Sequence, residues 1–264
     1  MKPLIACALL CAFALNAEGA VTLVSRGKAR AVIVLQEGAT PPEALAAREL
    51  QHHLRTITSA DLAIVPTTEE ADIALIVGPG PIAARFFPDV RLETFGEEEL
   101  VMRSSGNKVL LAGGRPRGTL YAVSRFLQDK LGVRWWTPWA SKYPRRSTLT
   151  IPDLDVRTKP AFESRDPFWF PAFDGVWAVR NCSNSQHARI TPEMGGKIIY
   201  KGFVHTFFQL VPPERYFAEH PEWYSMINGK RRYEGAQLCT TNPELRDFLV
   251  QRVREWLKES PDAR

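Results

Sequence analysis

Arg165 and Asp166 stand side by side at the head of an aromatic-rich stretch that holds Phe168, Trp169, Phe170, Phe173 and Trp177. A guanidinium next to a carboxylate can hold hydroxyl groups, and flat rings stack on the apolar face of a sugar. His205 lies farther on, in the strand-like run Phe203-Val204-His205-Thr206, with Arg180 and Asn181 in the irregular stretch between. Arg165, Asp166, His205, Asn181 and Trp169 form the candidate set for binding carbohydrate. The same residues admit plainer roles: an ion pair at a domain interface, a satisfied core histidine, rings that glue two domains together. A second aromatic group, Trp135, Trp136, Trp139 and Tyr143, is open to the same two readings.

Other chemistries find less support. Gly113-Gly114-Arg115-Pro116-Arg117-Gly118 matches neither the dinucleotide fingerprint nor the phosphate-loop pattern, so it reads as a tight structural turn. His52, His53, His187, His205 and His220 show no His-Glu-x-x-His spacing, and Cys182 near His187 lacks a third ligand, so no metal and no cofactor is expected. No serine occupies a Gly-x-Ser-x-Gly elbow, and Cys182 as a nucleophile has no support beyond its chemistry. Glycoside hydrolysis needs two carboxyl groups at a defined spatial separation. Sequence spacing assigns no such pair here.

The 264 residues carry 34 Lys and Arg against 29 Asp and Glu, a mild excess spread along the chain. No basic block is interleaved with aromatics, which argues against nucleic acid as a partner. Lys2 followed by the apolar run Leu4–Leu15 and small residues has the layout of a secretory signal, with cleavage after Ala17 or Gly19. The run is shorter than the roughly 20 residues of a membrane span, and no later segment is apolar enough to cross. Leu4-Ile5-Ala6-Cys7 matches a lipoprotein box, but too few apolar residues precede Cys7 for lipidation to be the expectation. The expected place is the periplasm or the extracellular space. That compartment permits a disulfide between Cys182 and Cys239; two free thiols fit the sequence equally well.

The elements that must position these side chains alternate in the first half. Val21–Val24, Ala31–Leu35, Leu62–Val65 and Ile73–Val77 read as strands, and Glu99–Arg103 with Lys108–Ala112 as a hairpin. Thr40-Pro41-Pro42-Glu43 opens a helix with apolar positions at Ala46, Ala47, Leu50, Leu54 and Ile57. A second helix runs from about Arg117 to Leu131 and ends at Gly132. Pro144 to Pro160 reads as the connection between domains. Beyond it, Phe162–Arg165, Phe203–Thr206 and Ala236–Cys239 are strand-like, and Asn242-Pro243 begins a helix with Leu245, Leu249, Val253 and Trp256 on its apolar face. So wide a face expects a further element to cover it.

Two sets of runs carry a resemblance. Ala46-Ala47-Arg48-Glu49-Leu50-Gln51 with Ile76-Val77-Gly78, and Arg117–Val123 with Phe126-Leu127 and Leu131–Trp135, resemble the α/β domain that precedes the barrel in bacterial α-glucuronidases and β-N-acetylhexosaminidases. Pro160–Asp166, His205–Phe208, His220–Tyr224, Gln237–Cys239 and Thr241–Pro243 resemble a secreted bacterial family, domain-of-unknown-function family 4838, which is glycoside-hydrolase-like.

With the signal segment taken as residues 1–19, the resemblance implies an α/β sandwich domain with a mixed sheet and covering helices over 20–151, and the first units of a (β/α)8 barrel, incomplete, over 152–264. It implies that Arg165 matches the arginine that grips sugar hydroxyls at the end of the first barrel strand in the hexosaminidases. The chain departs from the family by length, and the carboxylates expected later in the barrel are absent from it. The expected role is therefore the N-terminal portion of an exported protein whose full-length form hydrolyses a glycosidic bond, directly or with help from an acetamido group. A non-catalytic carbohydrate binder and a structural or interaction domain are the alternatives.

Overall fold

The computed structural model describes residues 19–69 and 71–262. The signal segment and its Cys7 box lie outside the described residues, apart from Gly19 at the segment's end. The described chain forms two compact units, which divide between Gly196 and Lys197.

In the first unit, β1 (Val21–Ser25) and β2 (Lys28–Ala29) form a hairpin, and β3 (Ala31–Leu35) follows directly. Helix α1 (Pro41–Thr58) starts where Glu43 reaches back to accept the Thr40 amide at 2.7 Å, with Pro41 and Pro42 in its first turn. The stripe Ala46, Ala47, Leu50, Leu54 and Ile57 is buried as its spacing predicts. Next come β4 (Ile64–Val65), β5 (Ile73–Val77) and α2 (Pro81–Phe86). The hairpin of β6 (Leu100–Ser105) and β7 (Lys108–Gly113) leads into α3 (Gly118–Arg125), which widens into a π turn over Phe126–Lys130. Beyond α3 lie β8 (Arg134–Thr137), β9 (Ala140–Lys142), β10 (Leu149–Ile151) and β11 (Asp155–Thr158).

The main sheet is mixed, in the order β11-β6-β7-β5-β3-β4. Strands β4, β3, β5 and β7 run parallel, while β6 and β11 are antiparallel additions at one edge. A smaller antiparallel sheet joins β10, β1 and β2. Successive side chains on a strand face opposite ways, and both faces of the main sheet are covered. Ile33, Leu75, Val109 and Leu111 pack with α1 and α3, whereas Val34, Ile76, Leu110 and Ala112 pack with Ala83 and Phe87 around α2.

The proline-punctuated connection is not where packing divides the chain. β11 pairs with β6, and the segment after it, including α4 (Gly175–Arg180), adds Ala178, Val179, Ala188 and Ile190 to the core under α1 and α3. Arg180 also pairs with Glu49 of α1 at 2.7 Å. The expected strand Phe162–Arg165 is irregular chain instead. Arg165 is the reason: its Nη1 donates to the Phe162 carbonyl at 2.8 Å and to the Glu163 carbonyl at 3.3 Å, folding this short run back on itself.

In the second unit, α5 (Phe207–Leu210) and α6 (Pro213–Tyr216) are single turns, β12 (Met226–Ile227) and β13 (Lys230–Arg231) form a small hairpin, and α7 (Pro243–Glu259) is the one long helix. The run Phe203–Thr206 is not a strand: His205 has φ +53° and Thr206 leads into α5. Ala236–Cys239 contributes a single bridge, Leu238 to Tyr224. Leu245 of α7 is buried with Trp223 and Tyr224, and Phe248, Leu249 and Trp256 pack against them. Val250, Val253 and Leu257 remain exposed. Among the described residues after Ile151 no two strands pair in parallel.

Candidate functional site

Arg165 sits at the centre of a buried polar knot in the first unit. Its Nη2 lies 2.7 Å from Glu98 Oε2, and its Nε donates to the Cys182 carbonyl at 2.7 Å. Glu98 Oε1 also accepts from Arg117 Nε at 2.8 Å and from Asn184 Nδ2 at 2.8 Å. One carboxylate thus bridges two guanidinium groups, and Glu97 balances the second positive charge from 3.1 Å. Arg117, Glu98 and Arg165 expose only 6, 11 and 19% of their side chains. Charges so withdrawn from water are tolerable only when matched by opposite charge, as these are, although Arg165 Nη2 faces Glu98 as an ion pair without a hydrogen bond.

Asn184 locks the knot. It is fully buried, accepts the Arg165 amide at 2.9 Å and donates to the Glu163 carbonyl at 2.7 Å. Ser183 donates to the Arg165 carbonyl at 2.8 Å, and the Tyr121 hydroxyl donates to the Ser183 carbonyl at 3.1 Å. Burial raises the Tyr121 phenol well above its ordinary range, so it stays a neutral donor.

Asp166 faces a second group. Its Oδ2 lies 2.7 Å from His187 Nδ1, and its Oδ1 accepts from Ser185 Oγ. The His187 amide donates to the same hydroxyl at 3.0 Å. A carboxylate on Nδ1 fixes an imidazole's orientation and tautomer, which is the arrangement acid–base chemistry requires. Phe168 meets the His187 ring edge-on, with centroids 4.8 Å apart. Phe168 and Phe170 are strongly exposed, and Trp169, half exposed, packs on Trp177 at 5.8 Å.

A cavity of about 320 Å³ opens between Tyr121, Arg125, Lys159, Phe162, Arg165 and Asn181. That volume suits a small ligand such as one sugar unit. The Arg165 side chain reaches this wall with most of its donors already engaged. Asn181 is occupied too: as the residue ending α4 it donates to the Trp177 carbonyl at 3.0 Å and to the Trp135 carbonyl at 3.3 Å. His205 belongs to the second unit, exposed beside a separate cavity of about 470 Å³ with Thr206, Phe207, Phe208 and Gln237. Of the five candidates, Arg165, Asp166, Asn181 and Trp169 fall within one unit and His205 within the other.

Among the described residues Cys182 and Cys239 are both free thiols. Burial pushes the Cys182 thiol up to about 12, which removes it as a nucleophile at neutral pH. Cys239 Sγ lies 3.3 Å from Thr241 Oγ1 and takes its place in the second unit. The second aromatic group divides: Trp135 is core, its ring tilted against His53 with centroids 5.2 Å apart, while Trp136 and Trp139 are exposed. The Gly113-Gly114 turn is structural, since a Cβ at Gly114 would overlap the Gly96 carbonyl.

No sequence spacing singles out Glu98, Asn184 or Ser185, and His187 stands out only by its nearness to Cys182. The available signal was the run Asn181-Cys182-Ser183-Asn184-Ser185, short polar side chains between apolar ones, which bond backbone groups when buried.

Residues 135–264 match the model of the family described as Domain of unknown function (DUF4838). The chain is 26% identical over 222 residues to the alpha-1,4-glucan:maltose-1-phosphate maltosyltransferase of Myxococcus xanthus, covering 78% of this chain and 31% of that protein. Among solved structures, a family GH115 4-O-methyl-alpha-glucuronidase with specificity for decorated arabinogalactans aligns with a TM-score of 0.58 at 15% identity. That alignment covers 92% of this chain and 41% of the glucuronidase, and shows a shared fold. A GH20 exo-beta-N-acetylglucosaminidase of Vibrio harveyi aligns at a TM-score of 0.35 and 15% identity over 56% of this chain and 18% of its own, too slight to bear on the fold. The chain therefore spans less than half the length of each of these proteins.

Proposed function

We propose that this chain is the N-terminal portion of an exported, glycoside-hydrolase-like protein whose full-length form hydrolyses a glycosidic bond in a polysaccharide or glycan. The observation that carries this reading is the fold shared with the GH115 glucuronidase over 92% of the chain. The match of residues 135–264 to DUF4838 agrees with it. In this reading the exposed Val250, Val253 and Leu257 of α7 pack against other elements of the full-length form. Lys2 and the apolar run behind it direct export to the periplasm or beyond.

The substrate-facing surface is the wall around Asp166. Exposed rings at Phe168, Trp169 and Phe170 offer stacking faces, and the Asp166–His187–Ser185 group supplies oriented polar atoms. Arg165 acts mainly as the pin that holds Asp166 in place, because Glu98 and three backbone carbonyls occupy its donors. Asn181 lines the first unit's cavity, and His205 with Gln237 lines a separate one in the second unit as a second carbohydrate-contacting surface.

The test is sugar-dependent tryptophan fluorescence, with arabinogalactan and oligosaccharide fragments of plant and microbial glycans as probes. Saturable quenching that Trp169→Ala abolishes supports the reading. Release of reducing ends by the full-length protein separates a hydrolase from a non-catalytic binder. Absence of quenching by every probe would leave only a structural role for this surface.

A further inference from the structure

We propose that His220, Glu222 and Glu244 bind one divalent metal ion of the zinc class, which fastens the start of α7 to the turn Pro221–Trp223. Their donor atoms all lie within 4.8 Å of one another. The three ligands come from two segments far apart in sequence, which is why no ligand spacing announces them.

The backbone that carries each ligand is set by local structure. The His220 ring lies flat on the buried Trp223 indole, with centroids 4.0 Å apart and planes 10° from parallel. The His220 amide donates to the Tyr216 carbonyl at 2.8 Å, and its Nδ1 lies 3.2 Å from Glu222 Oε1. Glu222 and Glu244 occupy matching places, each directly after a proline that opens a helical turn, Pro221 and Pro243. Proline fixes the backbone there. Asn242 caps α7 by accepting the Leu245 amide at 3.1 Å, which sets the position of Glu244.

The donor set selects the ion. Two carboxylates and one imidazole are net negative in either protonation state of the ring, so a cation at their centre is favoured. Calcium and magnesium prefer oxygen donors alone, whereas one nitrogen with two oxygens suits zinc and its first-row neighbours. Three protein ligands leave a fourth position for water.

The second unit also has a use for such an ion. Its strands are two residues long, and its buried core is Leu210, Val211, Trp223, Tyr224, Leu238 and Leu245. Units of this size commonly rely on a metal or a disulfide to supplement a small core. Cys239 forms no disulfide, and the three ligands join the same segments the core joins.

The test titrates zinc chloride into the chelator-treated protein by calorimetry and follows thermal unfolding with and without zinc. We expect one ion per chain at this site, a raised unfolding temperature, and no comparable binding of magnesium. His220→Gln and Glu244→Gln should each weaken zinc at least tenfold and abolish the thermal shift. Glu244 is exposed at the start of α7, so its variant keeps the test valid where His220→Gln disturbs packing on Trp223. No zinc binding by the unaltered protein, or zinc binding of unchanged affinity in Glu244→Gln, would overturn the proposal.

Discussion

Glu98 and Arg165 meet at 2.7 Å across the first unit, and the same carboxylate holds Arg117 at 2.8 Å. Removing Glu98 leaves two guanidinium groups largely out of water without their shared counter-charge. Loss of one partner of a buried pair costs about 3–5 kcal/mol. Glu98→Ala should therefore lower the first unit's stability by about that amount, read from urea unfolding by tryptophan fluorescence. Glu98→Gln, which keeps the shape but not the charge, should fall between it and the unaltered protein. A loss of well under 1 kcal/mol in Glu98→Ala would mean that the knot contributes little.

Glu49 makes the first unit acid-sensitive. Burial opposes its ionisation, but hydrogen bonds from His53 and Arg180 outweigh that and lower its pKa to about 2. A folded pKa below the unfolded value of about 4.5 stabilises the fold above that value, and the contribution is lost as pH falls from about 4.5 towards 2. The full contribution is about 3 kcal/mol, from roughly 1.4 kcal/mol per pKa unit. His53, lowered first of all by its own burial, acts in the same direction on the acid side of neutrality. Unfolding temperature against pH should fall steeply over this window. In Glu49→Gln it should start lower and fall less steeply.

Much of this first unit was legible. The stripe from Ala46 to Ile57 has helical spacing, and nothing in the fold competes with it. The turn at Ser105–Asn107 announces the β6–β7 hairpin, and β-branched runs announce β3 and β5. Phe162–Arg165 misled because a short aromatic run carries no periodicity, and the outcome was set by one side chain bonding its own backbone. The partners of Arg165 were out of reach for a related reason. Glu98 and Asn184 are joined to it by packing over long separations, and no local pattern encodes that. For α7 the apolar face is legible in composition, yet Val253 stays exposed because spacing says which way a residue points and not what lies there.

The two thiols should differ sharply in reactivity. Burial raises Cys182 to about 12, whereas Cys239 is lowered, first by its hydrogen bond with Thr241 and then by Arg231. The thiolate is the species that alkylates. At pH 8 iodoacetamide should label Cys239 at least tenfold faster than Cys182, as peptide mass spectrometry would show, and Thr241→Val should slow the Cys239 reaction. Equal rates would mean that Cys182 is opened by local unfolding. Either way, non-reducing digestion should yield no Cys182–Cys239 cross-linked peptide.

Asp166 and Trp169 should separate by the kind of damage their loss causes. Asp166 holds both Ser185 and His187, so Asp166→Asn removes the charge that orients the imidazole while keeping the side chain's shape. Trp169 is half exposed and meets Trp177 in a T-shaped contact, so Trp169→Ala removes a ring and little of the core. A stacked aromatic contact is worth about 0.5–1.5 kcal/mol, which converts to roughly two- to tenfold in affinity. Trp169→Ala should weaken glycan binding by that factor with unfolding temperature nearly unchanged. Asp166→Asn should weaken it as well, and should also move the His187 ring signals in an imidazole NMR spectrum, because the ring loses its carboxylate partner. If Asp166→Asn moves the His187 ring signals but leaves glycan affinity intact, the dyad is a structural device and the sugar is held by the rings alone.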